Sequence, residues 1–192
     1  MKNVKTSSLL FAACFFALVS CGTKTDQDDS KEVAEEQNEA KFDDTKLDDD
    51  TEFAVAAADG GMLEIQLGQL ALTKASSPKV KEFAQSMVDD HSKANDELKT
   101  IAQTKNITLP STISEEKQKD YDKLAEKSGP EFDKAYSEFM VKDHKDDVDK
   151  FKKAAEKCED ADIKSWAAEK VPVLENHLSM AESLEDAVDG TE

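Results

Sequence analysis

Two stretches of the chain repeat the same order of residues around a histidine. Residues 87–99 read MVDDHSKANDELK, and residues 140–152, fifty-three positions later, read MVKDHKDDVDKFK. The chain has three histidines, and two of them, His91 and His144, hold equivalent places in this repeat. An imidazole binds transition metals and exchanges a proton near neutral pH, so the repeat predicts one of these two kinds of chemistry.

The third histidine, His177, and one acidic residue, Glu64, belong to the same predicted site. Each of four apolar helical stripes carries a single residue of a metal-ligating type, and these are Glu64, His91, His144 and His177. Glu64 and His91 lie thirteen residues before and fourteen after one predicted turn, and His144 and His177 lie sixteen before and seventeen after another. Because helical residues rise by a constant step, each antiparallel pair meets at one height, near the middle of the helices.

Three imidazoles and one carboxylate at one point form a ligand set that suits a single zinc, iron or copper ion. Asp90 and Asp143 directly precede two of the histidines. They are candidates to accept hydrogen bonds from the imidazole N–H groups around such an ion. No residue is assigned a catalytic role.

Two metal-free interpretations of the same residues remain open. In the first, Glu64 balances one protonated histidine, and the cluster is a buried hydrogen-bond network that fixes helix register. In the second, protonation of the cluster makes the core respond to pH. Bound metal would separate the metal hypothesis from the first of these. A cleft or an open coordination position at the cluster would favour an enzyme.

The elements that position these residues are predicted from apolar periodicity. Apolar residues recur in steps of four and three along four segments, at 51–75, 78–105, 130–157 and 162–188. Short turns join the first pair and the last pair, and a polar connection with a short helix at 114–126 joins the two pairs. The pattern indicates an all-α fold, an antiparallel four-helix bundle over residues 51–188 with one crossover. Pro172 predicts a kink or break in the last helix.

A row of small residues on the first helix predicts close approach of a neighbouring helix. Its members recur at heptad spacing and are Ala54, Gly61, Gly68 and Ala75. Glycine within a helix costs about 1 kcal/mol relative to alanine, so a packing contact is expected to offset that cost.

The first fifty residues are predicted to lie outside the bundle. Residues 1–20 combine two lysines with a short apolar run, which is typical of a secretory signal peptide. The stretch LVSC that ends at Cys21 resembles a bacterial lipobox, and this resemblance implies lipidation of Cys21. Residues 21–50 are polar and acidic, which predicts a disordered tether, and residues 189–192 form a tail. We expect an outer-membrane lipoprotein of the cell envelope, facing the periplasm or the surface, whose partner is the membrane.

The charge of the chain argues against nucleic-acid binding. The formal net charge is −18, and all 25 basic residues are lysine. Such a chain lacks the basic surface that neutralises phosphates and the arginine side chains that grip them. The sequence does not predict a protein partner or an oligomeric state.

Several stretches resemble a known bacterial family. In chain order they are DTEFAVAAADGGMLEIQLGQLALTKASSPKVKEFAQSMVDDH, LP at 109–110, FDKAYSEFMVKDH and WAAEKVPVLENHL. They are similar, over about residues 51–188, to the family known as domain of unknown function 4142. Its members are labelled predicted outer membrane proteins and placed in the ferritin-like superfamily. The resemblance therefore implies a ferritin-like bundle in the cell envelope, and no particular activity.

The surroundings of the histidines differ from those of di-iron proteins, which carry Glu-x-x-His on two helices. Here the residues three positions before the histidines are Val88, Val141 and Leu174. A carboxylate-bridged di-iron centre is therefore not predicted. The sequence instead predicts a lipid-anchored envelope protein that binds one metal ion, or senses the envelope environment, through its Glu/His cluster. The alternative is a non-catalytic structural or interaction lipoprotein.

Overall fold

The computed structural model describes residues 29–43 and 47–190, and α-helices make up most of that length. In chain order they are α1 (Ser30–Phe42), α2 (Asp48–Lys74), α3 (Pro78–Lys105), α4 (Glu115–Ala125), α5 (Gly129–Lys157) and α6 (Ala161–Asp189). No β-strand occurs in either described range. The all-helical prediction is therefore confirmed.

The four long helices, α2, α3, α5 and α6, pack side by side. α2 lies against α3 and α5 lies against α6, and further contacts join α3 to α6 and α2 to α5. The short α4 lies in the connection between α3 and α5 and packs on both α2 and α5. The predicted ends of these five helices agree with the observed ends to within three residues. α6 continues through Pro172, so the predicted break is wrong and the alternative, a kink, stays a prediction.

An aspartate from α5 fastens the turn between α2 and α3. Ser77 precedes α3 and Pro78 opens it, but the Ser77 side chain makes no capping hydrogen bond. Instead, the buried Asp133 carboxylate accepts hydrogen bonds from the backbone N–H groups of Ser76 (3.1 Å) and Ser77 (2.8 Å), and from the Ser76 hydroxyl. These bonds fix the height of the α2–α3 pair relative to α5.

The row of small residues on α2 faces α3 at close range. At Gly68, a Cβ atom would lie 2.7 Å from Cγ2 of Val88 and 3.0 Å from the carbonyl oxygen of Ala84. At Gly61, a Cβ atom would collide with the side chain of Asn95. The predicted close approach of a neighbouring helix is therefore confirmed at these two glycines.

The structure differs from the predicted tether over residues 21–50. α1 occupies Ser30–Phe42, and α2 begins at Asp48. Polar contacts hold α1 in place. The buried Asn38 side chain donates to the Thr108 carbonyl (2.8 Å) and accepts from the Thr108 N–H (2.7 Å). The prediction missed this helix because it relied on apolar content, whereas α1 packs on α2 and is also held by hydrogen bonds to the connection between α3 and α4.

We expect Asn38→Ala to release α1 from the rest of the protein. The change leaves both backbone groups of Thr108 without their partner, so the free energy of unfolding should fall by about 1–3 kcal/mol. Urea denaturation measures this loss, and hydrogen exchange should show faster exchange along α1. Glu36→Ala, an exposed change on the same helix, is the matched control. Equal results for the two variants would contradict the docking of α1.

Several sequence predictions lie outside the described residues. The signal peptide over residues 1–20, the lipidated Cys21 and the last two residues of the tail are among them, and they stay predictions. Within residues 29–43 and 47–190, none of the helices has the length and apolar character needed to cross a bilayer.

Candidate metal centre

The four sequence-predicted residues meet in the interior, each supplied by a different long helix. Glu64 comes from α2, His91 from α3, His144 from α5 and His177 from α6, and all four are buried. Apolar side chains cover the cluster on two sides. One apolar group includes Leu67, Met87, Tyr136 and Met140, and the other includes Leu98, Phe151, Ile163 and Trp166. The polar residues thus form a layer between two apolar layers, which keeps bulk water away from them.

The distances within this layer are short. The three imidazole centroids lie 5.4 to 5.8 Å apart, and one ring nitrogen from each histidine lies within 4.8 Å of the others. Oε2 of Glu64 lies 2.8 Å from Nδ1 of His91, and Oε1 of Glu64 lies 3.4 Å from Nε2 of His144. The chain therefore brings together the four residues that counting along the helices places at one height.

Each imidazole has one nitrogen that is already hydrogen-bonded. Nδ1 of His144 lies 2.9 Å from the carbonyl oxygen of Met140, and Nε2 of His177 lies 2.9 Å from a carboxylate oxygen of Asp90. Both partners are acceptors, so these nitrogens carry the proton, and the opposite nitrogen of each neutral ring holds a lone pair. With Glu64 ionised, the same holds for His91, whose Nδ1–H donates to Oε2.

The remaining polar atom of each residue is buried without a hydrogen-bond partner among the described residues. These four atoms are Nε2 of His91, Nε2 of His144, Nδ1 of His177 and Oε1 of Glu64. A buried polar atom without a partner is costly and rare in folded proteins. Four of them lie in this cluster, one on every member, and each is of a type that can bind a metal ion.

The two aspartates predicted to support the histidines have different roles. Asp90 accepts from His177 on α6 and not from its neighbour His91. Adjacent residues on a helix point about 100° apart, so Asp90 and its neighbour His91 point in different directions. The carboxylate of Asp90 is therefore placed to bond to a histidine on another helix. Asp143 contacts no imidazole nitrogen by hydrogen bond. It lies 3.4 Å from the ammonium nitrogen of Lys117, and its Oδ2 is buried without a partner among the described residues.

Two residues near the cluster are absent from the sequence prediction. Asp147, three residues after His144, brings a carboxylate oxygen within 4.8 Å of those of Glu64 and Asp143. Its spacing from His144 places it on the same side of α5, and that signal was available in the sequence. Lys117 lies on α4, and no spacing rule relates a residue in the crossover to the height of the cluster.

Burial changes the proton affinities of the cluster. It raises the pKa of the Glu64 carboxyl well above its usual range, and nearby His144 offsets only part of that effect. It also lowers the pKa of all three imidazoles, against the opposing pull of neighbouring carboxylates. The histidines are therefore neutral near pH 7, and a neutral imidazole is the form that binds a metal.

A cavity of about 90 Å³ adjoins the cluster and reaches the surface beside α3 and α6. Glu64, His91 and His177 form its inner wall, whereas His144 lies outside its lining. The exposed residues Lys93 and Val173 lie at its outer part. The cluster is thus closed on the His144 side and accessible to a small species from the other side.

Comparison with known proteins identifies a family. The model of a family described as "Domain of unknown function (DUF4142)" matches residues 31–184, which is most of the chain and includes α1 as well as the four residues of the cluster. A search of curated proteins and a search of solved structures each returned no match.

Proposed function

Since the chain belongs to the DUF4142 family, whose description states no activity, we propose a function from the site itself: the protein binds one transition-metal ion. The ion is zinc, iron or copper. Its ligands are Nε2 of His91, Nε2 of His144, Nδ1 of His177 and Oε1 of Glu64. Nitrogen-rich sets with one carboxylate suit these metals better than magnesium or calcium, which prefer oxygen.

The main support for a metal site is the difference between the two polar side-chain atoms of each residue in the cluster. One polar atom of each residue has a protein partner that orients the side chain, and the other is buried without one among the described residues. Hydrogen bonds of this kind are the usual support for metal-bound imidazoles, because they fix the tautomer and the ring plane. Asp90 and the Met140 carbonyl would have this supporting role.

The charges around the cluster also favour a divalent cation. Glu64, Asp143 and Asp147 are three carboxylates in one buried or half-buried group, and Lys117 supplies one ammonium beside them. Lys150 lies 3.1 Å from Asp147, so one negative charge remains when all of these groups are ionised. A divalent ion would offset that charge, and it would lower the cost of keeping these carboxylates away from water.

We propose that this metal site lies in the cell envelope. Helices α2, α3, α5 and α6 would form a ferritin-like four-helix bundle, which the fold of the wider superfamily suggests and the pairwise helix contacts support. Lipidation of Cys21 would attach the bundle to the outer membrane, with residues 22–28 as the link to α1. The site would then sample metal ions or the chemical conditions of the periplasm or cell surface.

A metal-free network is the second candidate, and one observation favours it. Nδ1 of His91 and Oε2 of Glu64 are already 2.8 Å apart, so a single shared proton satisfies both atoms without a metal. In this case the cluster would fix the relative heights of the four helices, and the protein would act as a structural or interaction lipoprotein.

Elemental analysis of the purified protein separates the two candidates. The protein is incubated with equimolar zinc, iron(II) and copper(II), desalted, and measured by mass spectrometry for metal per chain. We expect close to one ion per chain, with a dissociation constant tighter than about 1 μM in a chelator competition. Absence of bound metal under these conditions, in protein that melts cooperatively, would reject the metal site in favour of the network.

A further inference from the structure

We infer that the metal keeps one coordination position for a small exogenous ligand, water or a small anion, that enters through the cavity beside the cluster. This inference rests on the proposed metal site and adds the class of molecule that the site would receive. The cavity lies on one side of the cluster only. It contacts Glu64, His91 and His177 but not His144, so only one side of the bound ion would face open space.

The protein ligands leave a position to fill. Oε2 of Glu64 is bonded to Nδ1 of His91, so Glu64 has one oxygen, Oε1, to give to the ion. Three imidazole nitrogens and this oxygen make four ligands. Zinc expands to five ligands in reactive sites, and copper(II) and iron commonly take five or six. The fifth ligand would come from the side that holds the cavity.

Small side chains keep this space open. Ala57 and Gly61 of α2 and Ala94 of α3 line the cavity beside the cluster. A volume of about 90 Å³ exceeds several times over the roughly 10–15 Å³ that one water needs by the same measure. It therefore admits a molecule of a few non-hydrogen atoms, and it excludes peptides and nucleotides.

The charges that line the cavity favour an anion or a neutral molecule over a second cation. The two lining carboxylates outside the proposed ligand set are engaged, because Asp90 accepts from His177 and Asp147 lies 3.1 Å from the ammonium nitrogen of Lys150. Lys93 and Lys170 also line the cavity, and the ammonium group of Lys170 pairs with Glu97. The positive charge of the ion, together with Lys93, attracts a small anion to the open position.

Azide is a suitable probe, because it is small, monoanionic and gives a charge-transfer absorption when it binds copper(II). The copper-loaded protein is titrated with azide, and the visible spectrum and the metal content are recorded together. We expect a saturable new band with copper retained. Ala94→Leu and Ala57→Leu, which fill the cavity from α3 and from α2, should each weaken azide binding at least tenfold. Ala155→Leu is the matched control, since Ala155 is also half-buried against the same apolar group but lies outside the lining.

The outcomes distinguish failure of the inference from failure of the proposed function. Bound copper that gives no azide band, or a band that accompanies loss of copper, would overturn the open position and leave the metal site intact. Equal azide affinity in the wild type, both cavity-filling variants and the Ala155→Leu control would overturn the route through the cavity. Protein that takes up no copper at all would overturn the metal site and, with it, this inference.

Discussion

His144→Ala is expected to abolish stoichiometric metal binding. His144 is fully buried on the closed side of the cluster, and its Nδ1 is held by the Met140 carbonyl, so its Nε2 is the most rigidly aimed of the candidate ligands. Removal of His144 leaves two imidazoles and one carboxylate and takes away the imidazole on the closed side of the cluster, so the ion should be held less tightly. We expect affinity to fall by more than the roughly 10–100-fold that is typical when a supporting residue is lost. Metal content after desalting, and chelator competition, measure this effect.

A second variant shows whether the metal is lost because a ligand is missing or because the protein is less stable. His144→Ala also empties part of the core, which by itself costs stability. Met87→Ala empties a comparable part of the same core one turn before His91, without removing a ligand atom. It should melt at a lower temperature than the wild type and still bind one ion. If Met87→Ala loses its metal as completely as His144→Ala does, the loss would reflect destabilisation and would not support the ligand assignment.

Asp90→Asn should give an intermediate result. The asparagine keeps the size of the side chain but replaces the carboxylate that accepts from Nε2 of His177. We expect the 10–100-fold weakening that accompanies the loss of such a partner, with the stoichiometry retained. If the cluster is a metal-free network, the wild type and all of these variants should lack bound metal. Metal affinity would then not decrease stepwise from one variant to the next.

Counting along amphipathic helices was sufficient to locate the cluster. The turn between α2 and α3 and the turn between α5 and α6 are both short, so a difference of one residue in the count corresponds to about 1.5 Å in height. Glu64 and His91, and likewise His144 and His177, could therefore be matched before their structure was known. Spacing along the chain predicts less directly the height of one pair relative to the other. In the structure Asp133 of α5 sets this relative height, because its carboxylate accepts hydrogen bonds from the α2–α3 turn.

The parts that the sequence did not predict are those held by contacts between distant segments. α1 lacks an apolar stripe, and the bonds between Asn38 and Thr108 join residues seventy positions apart. Lys117 reaches the cluster because α4 packs on α2 and α5, and the path of a connection between helices follows no periodicity. The hydrogen bond between His177 and Asp90 likewise depends on how α3 is rotated about its own axis. Residue spacing alone predicts that rotation only to within about one residue.

The metal-free protein is expected to lose stability as the pH falls from 7 to 5. Burial lowers the pKa of each histidine in the folded state, so below about pH 6.5, the usual imidazole value, the unfolded chain binds more protons than the folded one. Stability is therefore present above that pH and is lost as the pH falls towards the lowered values. The chain has three histidines and all of them lie in the cluster, so no other histidine contributes to the effect.

Protonation of the acidic residues has the opposite effect on stability. The slope of the free energy of unfolding against pH therefore depends on all of these residues together. Burial raises the pKa of Glu64 and Asp143, so the folded state binds their protons first and gains stability as the pH falls. Three histidines oppose these two carboxyls, so the net effect follows the histidines and stability should fall as the pH falls over this range. Urea denaturation of chelator-treated protein at several pH values measures this slope.

Two variants should change this slope in opposite directions. His177→Leu removes one of the groups that oppose folding at low pH, so the dependence should become shallower by up to about 1.4 kcal/mol per pH unit. Glu64→Gln removes the carboxyl with the opposing effect, so the dependence should become steeper. A purely structural effect of either change would shift stability equally at every pH. A flat profile between pH 5 and 8 in Glu64→Gln, where three histidines face one opposing carboxyl, would show that the imidazoles titrate alike in the folded and unfolded chain, which is incompatible with three histidines buried in one layer.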